Sequence, residues 1–231
     1  MRTSDPFTFF IHNLSLFGSK TVGHLELSFA ATGAAILLAM PLGIWLGHIH
    51  RGSFVALTIS NIGRALPSLA VISVGIGILG IGFVNVTVAL VILAGPVILT
   101  NAYVAVEGVD ADAVQAARAM GMSPLQVLTR VELPLALPLI CAGVRTATVY
   151  VVATATLATF AGGGGLGDII VNEATYGTGG VIAGSLAIAV LAFAIDGILA
   201  LAQRAVTPLP LRTAGRRTPR RRFTITAEAS E

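Results

Sequence analysis

Charge is scarce in this chain. Only 11% of its 231 residues are Asp, Glu, Lys or Arg, whereas a soluble domain has about a quarter. The scarcity is patterned: residues 27–50, 65–106, 146–167 and 174–195 contain none of the four. A helix crosses a bilayer with roughly 20 apolar residues, so these runs exclude a soluble domain. A polar/apolar alternation over ~10-residue segments is missing, which excludes a transmembrane β-barrel. The single cysteine, Cys141, lies in an apolar run. It cannot form an intrachain disulfide and reads as a small core residue. No constellation of His, Cys, Ser or acids has the spacing of a metal site or a nucleophile with its base, which argues against a membrane enzyme. His12, His24, His48 and His50 read as peripheral, the last two in an interfacial loop. The opening "MRTSDPFTFFIHNLSLFGSK" has an acid near its start and only short apolar runs, unlike a cleavable signal.

What is present is an all-α polytopic membrane pattern. The apolar runs predict five transmembrane helices, at about 25–46, 54–79, 86–106, 135–160 and 181–206. Basic residues orient them. Arg51, Arg118, Arg130 and the arginine-rich tail fall on one side, while the connections "GIGFVN" and "AGGGGLGDIIVNEATYGTGG" hold no Lys or Arg. The basic side is cytoplasmic by the positive-inside rule, which puts the C-terminus inside and, with five spans, the N-terminus outside. Residues 1–22 read as an extracytoplasmic interfacial segment, too short and polar to cross. Residues 23–206 read as the transmembrane domain and 207–231 as a disordered basic cytoplasmic tail. Six of the fourteen Lys and Arg residues lie in "LRTAGRRTPRRRF". Such a run can bind nucleic acid. Beside a span it reads instead as an anchor on anionic membrane lipid, and no nucleic-acid partner is expected.

The loop at about 107–134 has a different character. "ADAVQAARAM" favours a helix, with Asp110 or Asp112 at its start. Gly121 ends it through a left-handed residue. Ser123 and Pro124 can then cap and open a second helix. Helix, glycine elbow and helix form a compact docking feature on the inner face.

These residues carry a resemblance. The order Gln115-Ala116-Ala117, three residues, Gly121, nine residues, then Val131-Glu132-Leu133-Pro134 is similar to the signature of the inner-membrane permease subunit of binding-protein-dependent ABC importers. Gln115 replaces its acid and Val131 its isoleucine. "VGHLELSFAATGAAILLAMPLGI", "NIGRALPSLAVISVGIGILGIG", "RVELPLALPLICAGVRTATV" and "ATATLATFAGGGGLGDII" resemble the osmoprotectant branch, over roughly residues 22–206. The resemblance implies the type I ABC importer permease fold in a bacterial inner membrane. It implies import of glycine betaine, carnitine, choline or proline betaine; related branches carry amino acids such as methionine, or other small betaines. The implied partners are a cytoplasmic ABC ATPase dimer, an extracytoplasmic substrate-binding protein and a second permease chain, identical or paralogous. The helix ending at Gly121 would be the coupling helix, with Gln115, Ala116, Ala117, Gly121, Leu133 and Pro134 as the ATPase-coupling residues.

No cofactor is implied. "AGGGGLGD" lacks the Gly-Lys-Ser/Thr ending of a phosphate loop and lies on the expected outer face. Gly162, Gly163, Gly164, Gly165 and Gly167 read either as an adaptable outer gate or as a flexible loop. One tryptophan, Trp45, and three scattered tyrosines are too few for an aromatic cage around a quaternary ammonium, which assigns selectivity to the binding protein. Arg64, Arg145 and Asp196 interrupt spans. Charges there are paired or functional. Arg145 and Asp196 lie at matched depth, roughly 12–15 Å from the inner boundary, so a structural ion pair is expected. The other reading places Asp196 against a cationic substrate.

Overall fold

A computed structural model describes residues 5–50 and 52–206; the tail after 206, Arg51 and the Arg64 side chain lie outside the described residues. All regular structure among the described residues is helical. A short α1 (Pro6–His12) precedes α2 (Leu14–His48), α3 (Ser53–Ala65), α4 (Ser68–Leu79) and α5 (Phe83–Glu107). The loop helices α6 (Ala111–Ala119) and α7 (Pro124–Val127) follow, then a π-turn, Leu128–Glu132. Last come α8 (Leu133–Thr154), a 3₁₀ helix (Ala155–Ala161), α9 (Gly167–Val171) and α10 (Glu173–Val206). Four stretches are long and apolar enough to cross a membrane: Leu14–His48, Phe83–Glu107, Pro124–Ala161 and Glu173–Val206. The bent pair α3 and α4 is apolar enough only when taken together, and counted as one span it is a fifth.

That fifth span differs from the expected single helix at 54–79, because the chain bends by 88° between α3 and α4. Leu66 is extended (φ −71°, ψ 120°), the conformation favoured by a residue before proline. Pro41, Pro96 and Pro138 sit inside α2, α5 and α8 without ending them. Neighbouring helices let a membrane helix carry such prolines.

The first span also differs. It starts at Leu14, not near residue 25, because nothing between Ser15 and Leu25 breaks a helix. At ~1.5 Å per residue it is about 52 Å long, against roughly 30 Å of hydrocarbon. The N-terminal segment forms a short capped helix that packs on the bundle. Asp5 caps α1, accepting from the Phe7 and Thr8 amides. The Thr8 hydroxyl and amide together hold the Asp5 carboxyl below its ordinary range. The helix then folds onto the bundle: the Phe9 ring meets Phe17 and Tyr176 edge-on, each at 6.2 Å between centroids.

The core is the seam between α2 and α5. Leu27, Ala31, Ala35, Val86, Leu90 and Ala94 are fully buried. Toward the inner end the two backbones almost touch. A Cβ on Gly43 would come 2.4 Å from the Leu99 carbonyl oxygen, and one on Gly47 would come 2.8 Å from that of Tyr103. Small residues allow such approaches, and dispersion then substitutes for a hydrophobic drive that lipid cannot supply.

Candidate functional site

The loop between α5 and α8 is built from local chemistry. The Asp110 carboxylate accepts from the Asp112 amide at 2.9 Å and caps α6. Gly121 ends it at φ +82°. The Gly121 amide donates to the Arg118 carbonyl at 2.9 Å and the Met122 amide to the Ala117 carbonyl at 3.2 Å. This is the Schellman pattern of a glycine-terminated helix. Ser123 caps α7 and Gln126 reaches back to the Ser123 amide at 2.9 Å, a reciprocal capping box. Val114 and Ala117 are buried against Val127, with Met122 and Val131 beside them. Gln115, Ala116, Arg118 and Ala119 remain exposed. A nine-residue helix is marginal alone; this apolar face holds it while its other face is exposed. Leu133 packs beneath the loop against Ala105, Val106, Ala136 and Ile140, and Pro134 is exposed.

Below the loop sits an acid that the sequence reading passed over. Glu132 is 0% exposed and accepts from His48 Nδ1 at 2.6 Å. His48 is therefore not a free interfacial residue: it joins the inner end of α2 to the start of α8. His24 is not peripheral either. It is fully buried, and its Nε2 lies 2.9 Å from the Val152 carbonyl oxygen. That carbonyl belongs to the last turn of α8, where helical carbonyls lose their partners. Since a carbonyl only accepts, Nε2 carries the proton.

The charges in spans are brought together. Arg145 donates through Nε to Asp196 Oδ1 at 2.5 Å and through Nη2 to Oδ2 at 2.6 Å. Both carboxylate oxygens are occupied in this forked geometry. Two helical turns nearer the inner end, Gln203 donates to the Pro138 carbonyl at 2.9 Å. These contacts fasten α10 to α8.

The glycine loop is neither loose nor empty. The 3₁₀ helix ends at Gly162, and Gly162, Gly164 and Gly165 have φ of 67°, 71° and 94°. A Cβ on Gly162 would come 2.4 Å from Ile81 Cγ2, one on Gly165 3.0 Å from His24 Nδ1 and one on Gly167 2.1 Å from the Thr156 carbonyl oxygen. Gly163 abuts Val86, and the Gly82 amide donates to the Ala161 carbonyl at 2.7 Å. Asp168 closes the knot, taking Lys20 at 2.5 Å and the Thr159 hydroxyl at 2.8 Å. Glycine here permits close packing, in contrast to the flexible-loop reading. Lys20, a basic residue on the expected outer side, has its local counter-ion.

The family model described as "Binding-protein-dependent transport system inner membrane component" matches residues 39–208. The choline transport system permease protein OpuBB of Bacillus subtilis (strain 168) is 40% identical over 190 residues, 82% of this chain and 88% of the relative. The glycine betaine/carnitine/choline transport system permease protein OpuCB of the same organism matches equally, at 40% over 190 residues with the same coverage. The carnitine transport permease protein OpuCD of Listeria monocytogenes serotype 1/2a (strain 10403S) is 38% identical over 177 residues, 76% of this chain and 79% of the relative. Among solved structures, an inward-facing form of the MetNI methionine ABC transporter aligns with a TM-score of 0.75. Its identity is 24%, over 84% of this chain and 98% of that one. That likeness shows the fold.

Proposed function

This chain belongs to the family of binding-protein-dependent transport system inner membrane components, and we propose that within it the chain is the permease of an ATP-driven osmoprotectant importer. It is a multi-pass membrane subunit of a transporter, working with a separate ATPase and a substrate-binding protein. The substrate class is glycine betaine, carnitine, choline or proline betaine. The observation that carries this is the 40% identity, over most of the chain, to permeases named for choline and for glycine betaine, carnitine and choline.

The working unit holds two permease chains, two ATPases and one binding protein. Support comes from arithmetic: one chain offers one exposed docking helix, α6, and an ATPase dimer has two grooves. The inner face is the one bearing α6, Arg118 and Arg130, and the C-terminus lies on that side. In this reading Gln115, Ala116, Ala117 and Gly121 form the coupling helix, Leu133 and Pro134 root it on α8, and the Gly162–Gly165 knot with Gly167 lies at the outer gate. Arg145 and Asp196 are a structural pair: one guanidinium takes both carboxylate oxygens, which neutralises the charge a cationic substrate would seek.

The test is reconstitution of the whole complex, purified through a tag on this chain, into liposomes. ATP should drive uptake of radiolabelled glycine betaine, choline or carnitine delivered by the binding protein. Uptake of methionine in place of any betaine would move the chain to an amino-acid importer. Substrate flux after deletion of α6 would identify a channel that needs no ATPase.

A further inference from the structure

Three features meet at the inner end of α2. The first is a rigid pair: α2 and α5 are locked backbone to backbone at Gly43 and Gly47. The second is a compact loop body, α6 and α7, closed on its own apolar cluster of Val114, Ala117 and Val127. The third is the π-turn Leu128–Glu132 that connects this body to α8. A π-turn holds an extra residue in one helical turn, and such turns are frequent at functional sites. A joint of this kind below the docking helix would let the loop shift without its neighbours. Something must oblige α2 to follow.

Glu132 stands at the end of that joint. Its side chain is wholly buried and that of His48 is 15% exposed, with 2.6 Å between Oε2 and Nδ1. The other oxygen, Oε1, meets no protein donor among the described residues. A buried carboxylate is costly unless paired, so this partner is bound to it by more than proximity. The contact spans 84 residues of sequence. It is a polar fastening between the loop and the α2–α5 pair, set beside apolar contacts of Leu128 and Leu133 with Ala105 and Val106.

We propose that Glu132 and His48 form a coupling pin that makes α2 move with the ATPase-docking loop. Both are positioning residues. The inference rests on the reading of α6 as the docking helix. Apolar contacts can slide, since their attraction is non-directional. A short hydrogen bond to a buried carboxylate fixes both ends in register. The pin therefore converts rotation of the loop about the π-turn into displacement of span one.

The experiment uses the complete complex in liposomes and reads substrate moved per ATP hydrolysed, together with the amount of ATPase that co-purifies. In Glu132→Leu the ATPase should co-purify as in wild type and hydrolysis should continue. Substrate moved per ATP should fall about tenfold, within the range of ordinary coupling energies. Glu132→Gln, whose amide oxygen still accepts from His48, should recover most of the ratio. A loss of fold alone lowers uptake and hydrolysis together and leaves the ratio unchanged. Should the leucine variant not accumulate, Glu132→Gln combined with His48→Leu breaks the contact without leaving a buried charge, and is read the same way. An unchanged ratio in these variants overturns the pin. The docking reading is probed separately: Ala116→Trp, on the exposed face of α6, should release the ATPase, and retention of the ATPase by that variant would overturn the reading of α6 while leaving the Glu132 result to stand on its own.

Discussion

Replacing Gly121 probes the elbow of the docking loop with no packing term to confuse the result. The residue is exposed, and nothing lies within 4 Å of where a Cβ would stand. The cost is then purely that of φ +82°. An L-residue in the left-handed region loses about 1–2 kcal/mol, and a β-branched one is at or above about 3 kcal/mol. Opposing this strain, Val114 and Val127 bury their side chains in the loop core, each worth about 1.5–3 kcal/mol as an upper estimate. Packing should thus hold the elbow against alanine but only marginally against valine. Asparagine tolerates this conformation and should behave nearly as glycine does. ATP-driven uptake per complex should fall in the order Gly, Asn, Ala, Val. Alanine, with packing still in excess of its strain, should keep uptake within about twofold of wild type, and valine, where the two nearly balance, should lower it several-fold. Membrane abundance of each variant is measured alongside by quantitative immunoblot. Wild-type uptake by Gly121→Val, or asparagine as damaging as valine, would refute the reasoning.

Four further outcomes follow from the same geometry. Asp196→Asn should lower abundance in the membrane, and exchanging Arg145 and Asp196 should restore part of it; an abundant Asp196→Asn protein with weakened uptake of a cationic substrate would instead assign Asp196 to the pathway. Gly165→Ala should reduce detergent Tm and uptake, since a Cβ would stand 3.0 Å from His24 Nδ1 at a φ of 94°; adding His24→Ala should restore only the steric part. Lys20→Met should expose the α9 region to proteolysis from the outer face, because Asp168 loses its 2.5 Å partner, and an unchanged digestion pattern would show the contact to be idle. Native mass measurement of the complex should give two permease chains per two ATPases, and one chain per two ATPases would contradict the assembly.

The parts read well from sequence were those fixed by local chemistry. Asp110, the alanines, Gly121, Ser123 and Pro124 each act on neighbours within four residues, so the helix, elbow and second helix could be placed without tertiary knowledge. Arg145 and Asp196 could be matched because depth in a membrane is one coordinate that sequence supplies. The pairs Lys20–Asp168 and His48–Glu132 could not, because their registers arise only when α2 is laid beside α9 and α8. Glu132 did carry a signal: an acid immediately before a span must find a partner. The break at Pro67 was visible as a proline, yet Pro41, Pro96 and Pro138 look the same in sequence and end nothing. Whether a proline breaks a helix depends on the surface against which the helix lies. The glycine run was legible as special but not as tight, since flexibility and close packing call for the same residue.

One rod joins the two faces of this molecule. The α2 helix is tied at its outer end through Lys20 to the glycine knot and at its inner end through His48 to the loop. The two fastenings are about 42 Å apart at ~1.5 Å of rise per residue. An α-helix barely stretches, so an axial thrust at one fastening arrives at the other almost undiminished. Sideways bending is another matter. Pro41 lies between the ties and removes one rung of the helical ladder. The rod therefore acts like a push-rod with a single universal joint, stiff along its length and compliant across it. If the glycine knot is the outer gate and the loop the ATPase dock, as proposed, two doors hung on such a rod keep time with each other without a separate signal passing between them.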